Sequence, residues 1–181
     1  MFGKINRGHI LYYAQCAAMI DYLIIIQARI GSSRLPNKVM QLVGDRTILR
    51  RVWDAAKDTG CEVKVAWPER YPDLDENNVL ERFRRMSNEF PSKYIIRLTS
   101  DCPLLTTQDI NLAIYRFENT GEYYSNHYDG HDVQVFTRQL LMSDLMTHKE
   151  HVIADFDTKS TGLSVNTKED LERVRKLCAI K

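Results

Sequence analysis

The chain has 181 residues, 44% hydrophobic and 27% charged, about one domain of ordinary globular sequence, which argues against a disordered or fibrous protein. Lysine and arginine number 25 against 24 acids, a formal net charge of +1, so no global field draws in nucleic acid or an anionic membrane and any basic site must be local. Four cysteines (Cys16, Cys61, Cys102 and Cys178) stand far apart with no CxxC pair, which points away from a zinc site or disulfide framework and toward a reducing cytoplasm; no apolar run approaches the ~20 residues that span a bilayer.

In chain order, residues 1–18 are expected to be an extension ahead of a single domain over 19–181. Lys4, Arg7 and the apolar residues after them loosely imitate a secretory signal, but Gln15 interrupts the run and cleavage would fall against the strongest strand. A short helix or poorly ordered extension is the expectation instead. Residues 21–28 (DYLIIIQA) form an unbroken β-branched run, the pattern of a central parallel strand covered on both faces. Thr47 opens an amphipathic helix with Ile48, Leu49, Val52, Trp53 and Ala56 inward and Gly60 as its stop. Further strands are expected at 64–67 and 93–99, with an exposed loop over 68–78, where two prolines and four acids gather. Thr106, with Asp109 three residues on, forms a capping-box pattern before Ile110, Leu112, Ile114 and Phe117. Residues 137–146 and 167–177 repeat the helical pattern, the last with Leu171, Val174 and Leu177 on one face. Strands alternating with helices argue an α/β architecture.

Directly after the first strand, residues 27–38 (QARIGSSRLPNK) place three cations, hydroxyls and a glycine where open α/β sheets bind ligands, outside the strand carboxyl ends. Gly31 and the serines let backbone N–H groups turn to an anion, while Arg29, Arg34 and Lys38 neutralise polyphosphate charge. Neither GxxxxGK[ST] nor GxGxxG is present. A solvated turn with incidental cations has the same composition, so these residues alone leave both readings open.

Five further segments follow in order: VLERF at 79–83, RLTSDCPLL at 97–105, DGHDVQVF at 129–136, EHV at 150–152 and VNTKEDL at 165–171. With IIIQARIGSSRLPNKVMQLVG at 24–44, this series resembles the sugar cytidylyltransferases, most closely the spore-coat-polysaccharide type, related to the CMP-ketodeoxyoctonate and acylneuraminate synthetases. The resemblance runs from about Ile20 to the end of the chain. It implies a three-layer, Rossmann-like fold of the nucleotide-diphospho-sugar transferase (glycosyltransferase-A-like) type with a mostly parallel sheet. Only residues 69–78 stand where the family places a further βα repeat, so a strand-helix unit is expected to be missing.

The resemblance also implies chemistry: CTP and a sugar acid or sugar phosphate give an activated CMP- or CDP-sugar and pyrophosphate with Mg²⁺, in the cytoplasm, for surface polysaccharide or glycan synthesis. Arg29, Lys38 and Asp101 are then the catalytic candidates. The nucleotide set adds Gln27, Ala28, Gly31, Ser32, Ser33 and Arg34 from the first loop. Arg97 and Ser100 join it from the middle strand. Asp101 and Asn166 are the metal candidates, Asn166 standing where relatives usually have aspartate; equally, Asn166 or Thr167 serves only to cap the last helix. Asp129, Asp132, Gln134, Glu150 and His151 are the acceptor candidates, Gln134 replacing the usual acid. Against that, Asp129-Gly130 is a turn signal, Val133 and Val135 read as core, and His151 suits a plain polar position. A homodimer through an arm near this strand is the implied assembly. The alternative function is a degenerate relative that binds nucleotide or sugar without turnover. A sugar transferase ranks last, since its DxD signature is matched only by Asp73-Leu74-Asp75 in an expected loop.

Overall fold

The computed structural model describes residues 21–29, 31–32, 34–121, 123–125, 132–146 and 163–179. The expected extension over 1–18 lies outside the described residues.

A five-stranded sheet forms the centre, in the order β4-β1-β5-β7-β6: β1 Tyr22–Gln27, β4 Glu62–Ala66, β5 Tyr94–Thr99, β6 Tyr123–Ser125 and β7 Val133–Thr137. A small antiparallel ribbon, β2 Leu42–Val43 and β3 Arg46–Thr47, stands apart from it. β1 pairs in parallel with β4 on one side and β5 on the other, while β7 runs antiparallel to both β5 and β6. The β-branched run is therefore central, and Ile24, Ile25 and Ile26 are all fully buried because layers cover both faces.

The period of two assigns alternate residues to different layers. Ile24, Ile26, Ile96, Leu98, Val133 and Val135 pack under helices α1 (Ile48–Lys57) and α3 (Thr107–Thr120). Leu23, Ile25, Ile95 and Phe136 pack on the other face against Phe83 and Met86 of α2 (Val79–Glu89) and Leu140 and Leu141 of α4 (Arg138–Met142). A third cluster joins Leu35, Val43 and Ile48 to Val165, Leu171 and Val174, docking the last helix, α5 (Lys168–Ala179), beside the first loop.

Thr47, Thr106 and Thr137 each accept a hydrogen bond from the N–H three residues on, and Thr106 completes a capping box with Asp109. Two expectations need correction. Leu177, expected on one face with Leu171 and Val174, is 41% exposed, because it stands outside the stripe buried by its helix-mates. The segment after Thr137 is helical only to Met142, and Ser143 caps it in extended backbone. Between β4 and α2 there is a 3₁₀ turn, Pro68–Arg70, and no strand, so β4 ends the sheet as the short spacing implies.

Replacing Thr106 with alanine removes half of the capping box and is expected to cost about 1 kcal/mol, with serine restoring it. Ile96→Ala, at a fully buried central position, is expected to cost about 2–5 kcal/mol. Urea denaturation measures both.

Candidate functional site

A cavity of about 370 Å³ opens outside the carboxyl ends of β1 and β5. Period-two alternation brings it about: below, Ile25 and Ile95 belong to the core under α2, and further up the same face come Gln27, Arg97 and Thr99, which line the cavity. The core gives way to the site along single strands.

The first loop supplies one wall. Asn37 takes a left-handed backbone (φ 54°), a conformation asparagine tolerates, and opens a 3₁₀ turn at Lys38–Met40. That turn carries Lys38 inward until the residue is only 9% exposed. Its ammonium donates to Asp101 Oδ2 at 2.8 Å and to Asn166 Oδ1 at 3.2 Å. Arg34 also donates to Asn166 Oδ1, at 3.4 Å. Ser32 Oγ accepts from the Leu35 N–H at 3.4 Å, which folds the loop on itself, and Arg29 donates to Asn77 Oδ1 at 3.4 Å.

The last segment reaches the site through backbone: the Val165 N–H donates to the Asp101 carbonyl at 2.8 Å. The two readings of Asn166 separate here. Thr167 Oγ1 accepts from the Asp170 N–H, and Asp170 Oδ2 accepts from the N–H groups of Asn166 and Thr167, so Thr167 and Asp170 cap α5. The Asn166 amide is left to face Lys38 and Arg34.

Among the described residues, Arg29, Arg34, Lys38, Arg82 and Arg97 line the cavity against only two carboxylates, Glu76 and Asp101. A chain of net charge +1 thus concentrates positive charge at one place. Arg82, on the buried face of α2, is 1% exposed; its Nη1 donates to the Glu76 carbonyl at 2.5 Å and its buried Nε has no partner. Burial pulls this guanidinium below the ordinary arginine value, with Glu76 opposing and Arg29 reinforcing. Arg97 donates to Gln27 Oε1 through Nε and Nη2, at 3.1 and 2.7 Å, and to Gln134 Oε1 through Nη1, at 2.7 Å.

Cys102 Sγ lies 3.7 Å from Asp101 Oδ1 and 3.9 Å from Asp132 Oδ2, so the acceptor candidate Asp132 and Asp101 flank one sulfur. Burial, then the charges of Asp101 and Asp132, push the Cys102 thiol up, so it stays protonated and is no nucleophile.

The structure therefore brings together Gln27, Ala28, Arg29, Ser32, Arg34, Lys38, with Arg97, Ser100, Asp101 and Asn166 opposite them. Gly31 sits beside Glu76, whose Oε1 an added Cβ would meet at 3.0 Å, and Gln134 joins through Arg97. Ser33, Asp129, Glu150 and His151 lie outside the described residues. Sequence reasoning missed Glu76, Asn77, Val79, Arg82 and Thr99; the one available signal was an arginine on the inward stripe of the VLERF helix. Asp73-Leu74-Asp75 lies in the loop ahead of α2, where Asp73 pairs with Arg85 at 2.7 Å and Asp75 Oδ1 accepts from the Asn77 N–H.

Comparison with known proteins identifies the family. The chain is 31% identical over 147 residues to an uncharacterised protein of Methanocaldococcus jannaschii, covering 70% of this chain and 60% of that protein. It is 30% identical over 129 residues to the spore coat polysaccharide biosynthesis protein SpsF of Bacillus subtilis, covering 59% and 54%. The chain thus spans little more than half the length of these relatives. A solved cytidylyltransferase of Leptospira borgpetersenii superposes with a TM-score of 0.68 over 90% of this chain and 88% of that one, at 23% identity, and shares the fold. The family model described as cytidylyltransferase matches residues 23–66 and 73–175, most of the sheet and its helices, and the chain belongs to that family.

Proposed function

We propose that the chain transfers a cytidylyl group from CTP to the hydroxyl of a sugar acid, or to the phosphate oxygen of a sugar phosphate, releasing pyrophosphate. The observation that carries this reading is the Lys38 ammonium held between Asp101 and Asn166 at a cavity rich in arginine. Membership of the family supports it, as does similarity to a spore coat polysaccharide protein. Among the described residues no helix is long and apolar enough to cross a membrane.

In this reading Arg29, Arg34 and Lys38 bind the triphosphate, with Gly31, Ser32 and, outside the described residues, Ser33 as further loop contacts and Gln27, Ala28 and Ser100 completing the nucleotide wall. The acceptor oxygen attacks the α-phosphorus in line and loses its proton to solvent. The bond from that phosphorus to the bridging oxygen breaks, and its electron pair stays on the pyrophosphate. Such transfers are mostly positioning and charge stabilisation, so the cations that meet the departing oxygens supply the catalysis. Direct in-line attack by the acceptor requires no covalent enzyme intermediate.

Asp101 and Asn166 suit magnesium by their chemistry: both offer hard oxygens, and the two oxygens already converge on one cation, the Lys38 ammonium. They would hold the ion together with phosphate oxygens, where it supplies further positive charge to the reacting phosphates. One carboxylate and one amide bind it less tightly than two carboxylates. Asp132 and Gln134, with Asp129, Glu150 and His151 beyond the described residues, are the acceptor candidates.

Pyrophosphate release from CTP with a panel of sugar acids and sugar phosphates tests the reading. Lys38→Ala and Asp101→Asn are each expected to lower turnover by about 10²–10³-fold; near-parental turnover in both would overturn the assignment. Asn166→Asp is expected to lower severalfold the magnesium concentration giving half-maximal release. CTP binding with no release from parent or variant would mark a nucleotide-binding protein without turnover.

A further inference from the structure

At the other end of the sheet from the cationic cavity lies a second one, of about 300 Å³, lined by Asp21, Tyr22, Tyr94, Phe117, Glu118 and Gly121. Tyr22 and Tyr94 open β1 and β5 and are paired in register, five residues and about 17 Å below Gln27 and Thr99. Their ring centroids lie 4.9 Å apart, and Phe117, from the last turn of α3, meets them edge-on at 6.5 and 5.4 Å. The ring planes cross at 34°, 79° and 69°, so no pair forms a parallel stack that would hide its π-faces. Tyr22 and Phe117 are buried and Tyr94 is half-buried.

The charge here is the reverse of that in the first cavity. Among the described residues two carboxylates line it and no lysine or arginine does. Asp21 is paired with Lys93 at 2.8 Å, whereas Glu118 Oε1 accepts only from the Tyr22 hydroxyl, at 3.5 Å, and has no cationic partner among the described residues. Burial, followed by the Glu118 charge, pushes the Tyr22 hydroxyl up, so it stays a neutral donor to that carboxylate. The cavity also meets the carboxyl end of α3, where Gly121 takes φ 93° and the last turn carries no basic residue. Aromatic faces, a carboxylate without a counter-ion and the negative pole of a helix each attract positive charge, and all three meet in a space that suits a small ligand. The supply of acceptors decides which cation. Asp21 is taken by Lys93 and Glu118 already accepts from Tyr22, so little is left for the N–H groups of a primary ammonium, and among the described residues no cluster of ligands could hold a metal ion. Rings accept the methyl groups of a cation that has no N–H at all.

We propose that this cavity is a second ligand site, for a small quaternary ammonium ion, with Tyr22, Tyr94 and Phe117 as its aromatic wall and Glu118 as its counter-charge. It is separate from the cationic cavity in place and in sign of charge, and it stands whether or not the chain transfers cytidylyl groups.

The test is an NMR titration of the full chain with choline, with dimethylbutanol, its neutral carbon isostere, and butylammonium as the other arms. Choline is expected to saturate the chain in the millimolar range or below, with nuclear Overhauser transfer from its methyl protons to the rings of Tyr22 and Tyr94. It is expected to bind at least about tenfold more tightly than dimethylbutanol, the difference being the charge alone. Glu118→Gln and Tyr94→Leu are each expected to weaken choline binding by about fivefold or more. Glu118 lies on the exposed surface of α3, so Glu118→Gln stays informative should Tyr94→Leu fail to fold. Equal affinity for choline and dimethylbutanol would reduce the site to an apolar cleft and overturn the proposal. Tighter binding of butylammonium than of choline would overturn it too, as would choline affinity that Glu118→Gln leaves unchanged, or no saturation by about 10 mM choline.

Discussion

A single ammonium group ties the site together. Lys38 reaches across 63 residues to Asp101 and 128 to Asn166, so three distant segments, one after β1, one after β5 and one before α5, are held at one point. The pair with Asp101 is largely shielded, with side-chain exposures of 11% and 22%. It therefore belongs between exposed pairs, worth up to about 1 kcal/mol, and fully buried ones, whose breakage costs about 3–5 kcal/mol. The backbone bond from Val165 to Asp101 and the small apolar cluster beneath it keep the last segment in place. The Lys38 side chain can then exchange protein oxygens for phosphate oxygens without the wall falling apart.

Around that point the fold accepts an electrostatic cost. Among the described residues five cations face two carboxylates in the cavity, and Arg82 and Arg97 are held by neutral oxygens. Such an arrangement weakens the empty protein and strengthens its complex with a polyanion, since the same charges that repel one another in the free state are compensated by the ligand. Arg82 adds a mechanical link. Its bonds to the carbonyls of Asp75 and Glu76 hold the loop that places Asn77 against Arg29, so the first helix of that face supports the first loop from across the cavity.

Much of this was legible in the sequence where local chemistry decides structure. The isoleucine run of β1 needed two covered faces, and the Thr106 and Asp109 pair could do little but cap a helix. Lys38, Asp101 and Asn166 could be named because they stand in recognisable segments, although their meeting at one ammonium could not be read from residues so far apart. Leu177 misled because helical periodicity says which residues share a face but not how wide a stripe the neighbouring layer covers. Arg82, Glu76 and Asn77 were missed for a related reason: an arginine on an inward stripe reads as a snorkelling side chain until the loop carbonyls it holds are seen.

The central claim is that the cationic cavity is a CTP site. The most direct test is thermal unfolding of the chain with CTP, UTP, ATP or GTP, each with and without magnesium, because a ligand that binds only the native state raises the melting temperature by mass action. The account predicts that CTP raises it most, by about 5–10 °C at a hundredfold excess over its Kd, and that magnesium increases the shift. An unchanged melting temperature with all four nucleotides at millimolar concentration would contradict it.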